Sequence, residues 1–371
     1  MHSKNIAYIP AVDQLRGIAA LWITIYHAVH LIGYQLRFNH PFTFDFWPSA
    51  SNPVTALILE GHSAVGLFMV LSGFILTYGA WGKKISYKAF ITNRFIRIYP
   101  LAIFLVLVAA YSKPQAFSWG SLWQTLLLGH NLPGSLSGSP YTDMFWAIAV
   151  EFQFYLIFPF LCFLMQKEDA YLGLKIMACL ITFRFIASIN GANVRDLGYL
   201  SIVGRLDQFL IGMMLGAYWK NRGDKRGSTT PFYLLAVCSV LALLLYVFNQ
   251  LGGWPSVAAW KVIWPTVEGV ICAALIFFYL SSAQRLPGLV TGILQHIGLV
   301  SYSLYLTHML VLSILCERGW LIEWQMDIRW AVILNTLFLM LPISLILAAL
   351  TYHAIEQPFL KLRQRYLRIN S

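Results

Sequence analysis

Charge is what this sequence has least of: Asp, Glu, Lys and Arg together make up 11% of its 371 residues. Soluble domains carry about 25%, so a water-facing globule of ordinary surface is excluded. Cysteine is also sparse, with Cys162, Cys179, Cys238, Cys272 and Cys316 scattered and no CxxC pair among them. That pattern excludes a disulfide framework and a zinc site. The five read as small apolar residues, and no metal is expected. No cleavable leader is expected before the first apolar run, because residues 1–12 are short and mixed. The first apolar run would then act as its own targeting signal. No separate soluble domain is expected, and residues 1–371 read as one integral membrane domain.

Apolar residues are what is abundant, at 58% of the chain, with 15% aromatic. An excess spread along the whole length predicts an all-α polytopic membrane protein. Runs able to cross a bilayer lie near 14–36, 57–79, 95–112, 143–165, 172–189, 198–219, 231–249, 260–281, 292–315 and 329–354, giving about ten transmembrane helices. A further stretch, WGSLWQTLLLGH at 119–130, is short and amphipathic and reads as an interfacial or re-entrant helix.

The net charge of +11 raises the question of a nucleic-acid partner. The basic residues sit in short clusters between apolar runs, however, and form no aromatic-interleaved surface able to follow a polynucleotide. Their partner is the lipid bilayer. With the N-terminus inside, Lys4, the group Lys83, Lys84, Lys88, Arg94 and Arg97, then Lys167, the group Lys220, Arg222, Lys225 and Arg226, then Arg285, and finally Lys361, Arg363, Arg365 and Arg368 all fall on the cytoplasmic side. The outer side keeps Arg37, Lys113, Arg195, Lys261, Arg318 and Arg329. Both termini are therefore expected to be cytoplasmic.

Several polar residues interrupt the runs. In DQLRGIAALWITIYH (13–27), Arg16 and His27 are eleven positions apart. At about 100° per residue they lie within about 20° of one another, with Asp13 within about 40° of the same stripe. His27 is about 16 Å deeper than Arg16, near the bilayer midplane. A charge there costs at least about 2.5 kcal/mol, so the stripe should face a protein interior or a wet cavity. An edge anchor at Arg16 and a hydrogen-bonded core histidine at His27 would account for the pair equally well. In SAVGLFMVLSGFILTYG (63–79), Ser72 and Gly73 permit close helix approach. In NRFIRIYP (93–100), Arg94 and Arg97 share one face at the start of the third span and suit bidentate phosphate binding, although a positive-inside anchor would look the same. FWAIAVEFQFYLIFP (145–159) embeds Glu151 and Gln153 in an aromatic run. Glu151 is expected in the outer half of its span, pairing with a cation, binding acceptor hydroxyls or assisting proton transfer. Arg205 and Asp207 in GRLDQFLIGMMLGAY (204–218) read as a charge network in the outer part of the sixth span. SYSLYLTH (301–308) places His308 towards the outer side, and HAIEQPF (353–359) ends the last span.

In this order and spacing the segments resemble the acyltransferase-3 family of integral membrane acyltransferases. VDQLRGIAALWITIYH keeps the family's Arg-x10-His spacing at Arg16 and His27. LFMVLSGF (67–74), RFIRIYP (94–100), WAIAVEFQFYLIFP (146–159), RLDQFLIG (205–212), SYSLYLTH (301–308) and IEQPF (355–359) follow in register with its other motifs. Two positions depart: Gly66 stands where an aspartate is frequent, and Phe152 replaces the second glutamate of a VEEQFY pattern. The resemblance implies transfer of an acyl group, acetyl from cytoplasmic acetyl-CoA, to a hydroxyl of an extracytoplasmic or lipid-linked carbohydrate or glycolipid in a bacterial cytoplasmic (inner) membrane. It implies His27 as general base with Glu151 as a second catalytic group, Arg16, Arg94 and Arg97 as acyl-CoA contacts, and Arg205, Asp207 and His308 as substrate contacts. A transporter or export partner, another acyl group, a small-molecule acceptor and an acyl-histidine relay are the alternatives at this stage.

Overall fold

A computed structural model describes residues 5–6, 8–116, 118–132, 140–167, 171–223, 231–283, 286–323 and 325–369. The chain enters through α1 (Pro10–Phe38), the short α2 (Pro53–Leu59) and α3 (Ala64–Ala80). Next come strand β1 (Lys83–Ile85), α4 (Tyr87–Ser112), α5 (Trp119–Leu126), α6 (Phe145–Lys167) and α7 (Tyr171–Ile189). The remaining helices are α8 (Val194–Leu200), α9 (Ile202–Arg222), α10 (Pro231–Gln250), α11 (Trp264–Ser282), α12 (Gly288–Leu299), α13 (Ser301–Glu317) and α14 (Ile328–Leu360). Strand β2 (Leu367–Ile369) follows. Among the described residues, eight helices are long and apolar enough to cross a membrane, and up to ten if each of two bent pairs is one span. These coincide in position with the ten apolar runs, and the protein is an all-α polytopic membrane protein apart from one two-stranded ribbon. Lys4, Lys225, Arg226 and Arg285 lie outside the described residues.

Three details differ from the sequence reading. The sixth run is broken: α8 meets α9 at 49°, where the Ser201 hydroxyl accepts the Gly204 N–H (3.0 Å) and so starts a new helix. The ninth is bent more sharply, with α12 and α13 at 74°. The third helix begins at Tyr87, which puts Arg94 and Arg97 about two turns inside it rather than at its first turn. Helix α5, eight residues long with a Ser118 capping box, is too short to cross.

Helix α3 is the innermost element, with 89% of its most apolar window buried, against 17% for α7 and 22% for α10. Its glycines explain the position. A Cβ on Gly73 would lie 2.2 Å from the Phe209 carbonyl oxygen, and one on Gly212 of α9 would lie 2.1 Å from that of Val70. The two backbones touch where side chains would hold them apart. Gly212→Ala is expected to destabilise the fold by about 1–3 kcal/mol, the usual cost of overpacking, read as a lower midpoint of thermal unfolding in detergent.

One end of the bundle gathers both terminal segments. β1 pairs antiparallel with β2, Lys83 opposite Ile369 and Ile85 opposite Leu367. The Asn5 amide donates to the Gln364 carbonyl (2.9 Å), and the Tyr366 N–H donates to the Asn5 side chain (2.7 Å). Asn93 of α4 both donates to and accepts from the Gln364 backbone, at 2.8 and 2.9 Å.

Candidate active site

Two cavities open at opposite ends of α1. The one at its N-terminal end has a volume of about 240 Å³ and is lined by Arg16, Arg94, Arg97, Arg363, Glu151 and Ser72, with aromatic walls from Tyr155, Tyr302 and Tyr305. Helix α4 supplies Arg94 and Arg97 three positions apart. Arg97 donates to the Glu356 carboxylate at 2.9 Å, and Glu356 also accepts from the Ser303 hydroxyl. A π-helical turn over Tyr352–Glu356 ends α14's apolar stretch and presents this carboxylate. Arg94 lies over the rings of Phe90 and Tyr155, at 5.4 and 5.3 Å. Arg16 is 3.5 Å from Asp13. Arg363 enters from the segment after α14. Burial, reinforced by the charges of Arg97, Arg94 and Arg16, brings its pKa down to about 9.

Glu151 belongs to this arginine-lined cavity. It accepts from the Ser72 and Tyr155 hydroxyls, both at 2.5 Å. A cation, acceptor hydroxyls and proton transfer are all open roles for Glu151 from the sequence, and α6 turns its side chain towards Ser72 of α3 in the cavity that the arginines line. Gln153, on another face, exchanges hydrogen bonds with Asn131 at 3.0 and 3.3 Å.

The second cavity is larger, about 740 Å³, and strongly aromatic, with Tyr26, Trp47, Trp146, Tyr199 and Trp254 in its walls beside His27, His30 and His62. Val65 and Tyr305 line both cavities. The two spaces therefore meet at a wall of these side chains, and His27 lines the larger of them.

His27 is half-buried on α1, and its Nδ1 is 2.9 Å from Nε2 of the fully buried His308. The rings are nearly parallel, with centroids 5.1 Å apart. Nδ1 of His308 is 3.0 Å from the Leu304 carbonyl oxygen. A carbonyl only accepts, so His308 must carry its proton on Nδ1, which leaves its Nε2 as an acceptor. His27 must then donate from Nδ1, and its own Nε2 holds the free lone pair. The chain Leu304–His308–His27 thus fixes a tautomer suited to a general base. His308 lines neither cavity. It stands behind His27, where a substrate contact had been expected.

Arg205 and Asp207 also line neither cavity. Both are fully buried. Arg205 donates to Glu268 and Gln208, each at 3.1 Å. Asp207 accepts from Arg184 at 2.9 Å and from Thr266 at 2.5 Å. Their geometry is that of an interhelical charge network between α7, α9 and α11, not of a substrate surface. Glu268 also accounts for the departure at Gly66, where a Cβ would lie 2.7 Å from Glu268 Oε2. The space beside α3 is filled by a carboxylate from α11.

Further polar residues lie in the aromatic cavity (His30, His62) or behind its walls (Glu60, Lys261), and the sequence alone does not single them out. Buried Glu60 accepts from Trp47 (3.0 Å), Asn249 (2.7 Å) and His62 (2.9 Å), and His62 bonds Tyr199. His30 stacks on Trp47 at 4.3 Å and donates to the Leu59 carbonyl at 2.9 Å. Lys261 donates to the Gly253 and Trp254 carbonyls at 2.8 and 2.7 Å, anchoring the loop that carries Trp254. His30 was the legible one, since three positions after His27 it continues the same helical stripe. Glu60 and His62 come together only through the turn between α2 and α3.

Comparison with known proteins gives the class. The family model described as an acyltransferase domain matches residues 9–349. A Staphylococcus aureus (strain COL) protein named a putative O-acetyltransferase is 26% identical over 401 residues, covering 96% of this chain and 58% of that protein. The acyltransferase MdmB of Streptomyces mycarofaciens is 25% identical over 396 residues, covering 97% of this chain and 94% of MdmB. The peptidoglycan O-acetyltransferase OatA of Listeria monocytogenes is 25% identical over 390 residues, covering 95% of this chain and 56% of OatA. The chain thus spans little more than half the length of the staphylococcal and listerial relatives. No solved structure matches it. With residues 9–349 matched by the family model and a hydrogen-bonded histidine lining a cavity of a helical membrane bundle, the chain belongs to the acyltransferase-3 family of integral membrane acyltransferases.

Proposed function

We propose that the protein transfers an acetyl group from acetyl-CoA, held on the cytoplasmic side by Arg16, Arg94 and Arg97, to a hydroxyl of a carbohydrate or glycolipid in the aromatic cavity on the other side of a bacterial cytoplasmic membrane. The observation that carries this reading is the position of His27. His27 lines the acceptor cavity, which shares Val65 and Tyr305 with the donor cavity, and its Nδ1 bond to His308 leaves Nε2 as the free ring nitrogen. Guanidinium groups suit the phosphates of coenzyme A, whose pantetheine arm would run inward towards that wall. Flat aromatic faces suit the C–H faces of a sugar ring, and the polar groups among them suit its hydroxyls. The peptidoglycan named for OatA is one polymer of the proposed class. The gathering of both terminal segments with Lys83 and Lys84 at the arginine end supports that end as the cytoplasmic one.

In this mechanism His27 Nε2 takes the hydroxyl proton as the acceptor oxygen attacks the thioester carbonyl. The C–O bond forms, the C–S bond breaks, and the imidazolium returns the proton to the departing thiolate. His308 stabilises the imidazolium by accepting from Nδ1. Glu151, fixed by Ser72 and Tyr155, is a donor-side group that positions the arm of the cofactor rather than the acceptor. Purified protein given acetyl-CoA and a surface glycan should raise the glycan's mass by one acetyl group per modified hydroxyl. A change in the glycan's location across a vesicle membrane with no change in its mass would sink the proposal and favour a transporter.

Acceptor binding should also depend on pH through Asp143, which lines the aromatic cavity just before α6. Burial raises its carboxyl to about 6, with Lys113 opposing the rise. Above that pH the group is a carboxylate, a stronger acceptor for hydroxyls than the neutral acid. The acceptor KM is expected to fall as pH rises through about 6 in the natural protein and to be flat across that range in Asp143→Asn.

A further inference from the structure

The sequence reading of the donor cavity held Arg16, Arg94 and Arg97, and the structure adds a fourth guanidinium from a different part of the chain. Arg363 lies beyond residues 9–349 that the family model matches. Resting on the reading of this cavity as the donor site, we infer that Arg363 binds a phosphate group of the coenzyme A donor, and that the segment following α14 is folded back to deliver it.

The first argument is hydrogen-bond accounting. Arg97 has Glu356 as its carboxylate and Arg16 has Asp13. Among the described residues, by contrast, the Nε atoms of Arg94 and Arg363 are buried with no hydrogen-bond partner. Buried N–H donors are rarely left orphaned, and an unmade bond to a charged group is the expensive kind. Both side chains line the same cavity, so an anion there would meet two guanidinium groups whose Nε atoms have no hydrogen-bond partner. Burial first, and then the like charges of Arg97, Arg94 and Arg16 around it, depress the pKa of Arg363, and a bound anion would oppose both.

The second argument is how firmly the segment is placed. Gln364, next in sequence to Arg363, is held through its backbone by Asn5 and by Asn93. The buried Tyr366 packs edge-on to Phe90 with centroids 5.2 Å apart, and β2 then pairs with β1. Phe90 in turn lies under Arg94. The clamps on the segment and the arginine pair of α4 are therefore one packed unit. Arg365, two residues further on, is exposed and shares none of this, so the arrangement selects Arg363 rather than positive charge in general.

The experiment is calorimetric titration of the detergent-purified full chain with coenzyme A and, separately, with pantetheine, which lacks the phosphates. Arg363→Ala is expected to weaken coenzyme A binding by about tenfold or more, the loss expected for a charge-assisted hydrogen bond, with pantetheine binding unchanged. Arg363→Lys should recover part of the loss, and Arg365→Ala, which removes an equal charge, should bind as the natural protein does. Three results would overturn the inference: unchanged coenzyme A binding in Arg363→Ala, equal losses for coenzyme A and pantetheine, or lost retention of phosphatidylglycerol with coenzyme A binding intact. The last would give the phosphate to a lipid headgroup. If the natural protein binds coenzyme A no more tightly than pantetheine, the donor reading of the whole cavity fails along with it, a result distinct from the failure of Arg363 alone.

Discussion

His27→Ala is expected to lower acyl transfer by about 10²–10⁴-fold, the range contributed by a positioned general base, while the protein still folds and reaches the membrane. The expectation follows from the orientation of one ring. His27 loses little packing on truncation because it is only half-buried and borders a cavity, whereas its Nε2 is the ring nitrogen left free by the Nδ1 bond to His308. The histidine behind it supplies a sharper test. His308→Ala should also depress the rate, by less, since it removes the acceptor that fixes the His27 tautomer and leaves the base itself in place. His308→Gln should restore part of the rate, because a side-chain carbonyl can accept from His27 Nδ1 as the imidazole does. Normal acetyl transfer in His27→Ala would sink the mechanism. Identical rates in the Ala and Gln variants of His308 would sink the tautomer argument and leave the base. An acyl-histidine relay makes the same demand on Nε2. It is separated by incubating the protein with labelled acetyl-CoA and no acceptor, then looking for label on His27.

The second large effect concerns stability. Arg205→Ala should destabilise the protein by about 3–5 kcal/mol, because it leaves Glu268 buried without its cation. Arg205 and Glu268 are each almost wholly inaccessible, and they join α9 to α11 beside α3. Replacing both with apolar residues of similar size should recover most of the loss, since a buried ion pair is worth little more than good packing when neither charge remains. Unfolding midpoints in detergent measure both variants. Were Arg205 a substrate contact, the single variant would unfold like the natural protein and bind acceptor poorly, which is the outcome that would refute the structural assignment.

Positions along the chain were legible in the sequence to a degree that contacts between distant segments were not. Apolar runs report membrane-length helices directly, and the Arg-x10-His spacing places Arg16 and His27 on one stripe because helical geometry is local. The 74° bend between α12 and α13 has no comparable marker, since Gly298–Leu299–Val300 reads as a continuation of an apolar run. Glu151 is legible as an unusual residue with several open roles, but the arginine-lined cavity it joins is not readable from its own span. Depth along a helix follows from residue number, whereas the direction a side chain faces depends on which neighbours pack there. Arg205 and Asp207 read from the sequence as a charge network, but their partners Arg184 and Glu268 arrive from other helices. Arg363 was counted only as a topological charge, because its cavity is assembled by pairing residues near 5, 84 and 93 with residues near 364 and 368.

The shared wall of Val65 and Tyr305 has a consequence for energetics across the bilayer. Were water to fill both cavities, most of the membrane potential would fall over the thickness of these side chains rather than over the whole hydrocarbon slab. On the proposed chemistry an acyl group passes outward through that narrow barrier while the acceptor's proton returns inward to the thiol. Each counts formally as one positive charge, so the exchange is electroneutral. Acylation is then driven by thioester chemistry alone, and a cell that loses its membrane voltage should still be able to decorate its surface.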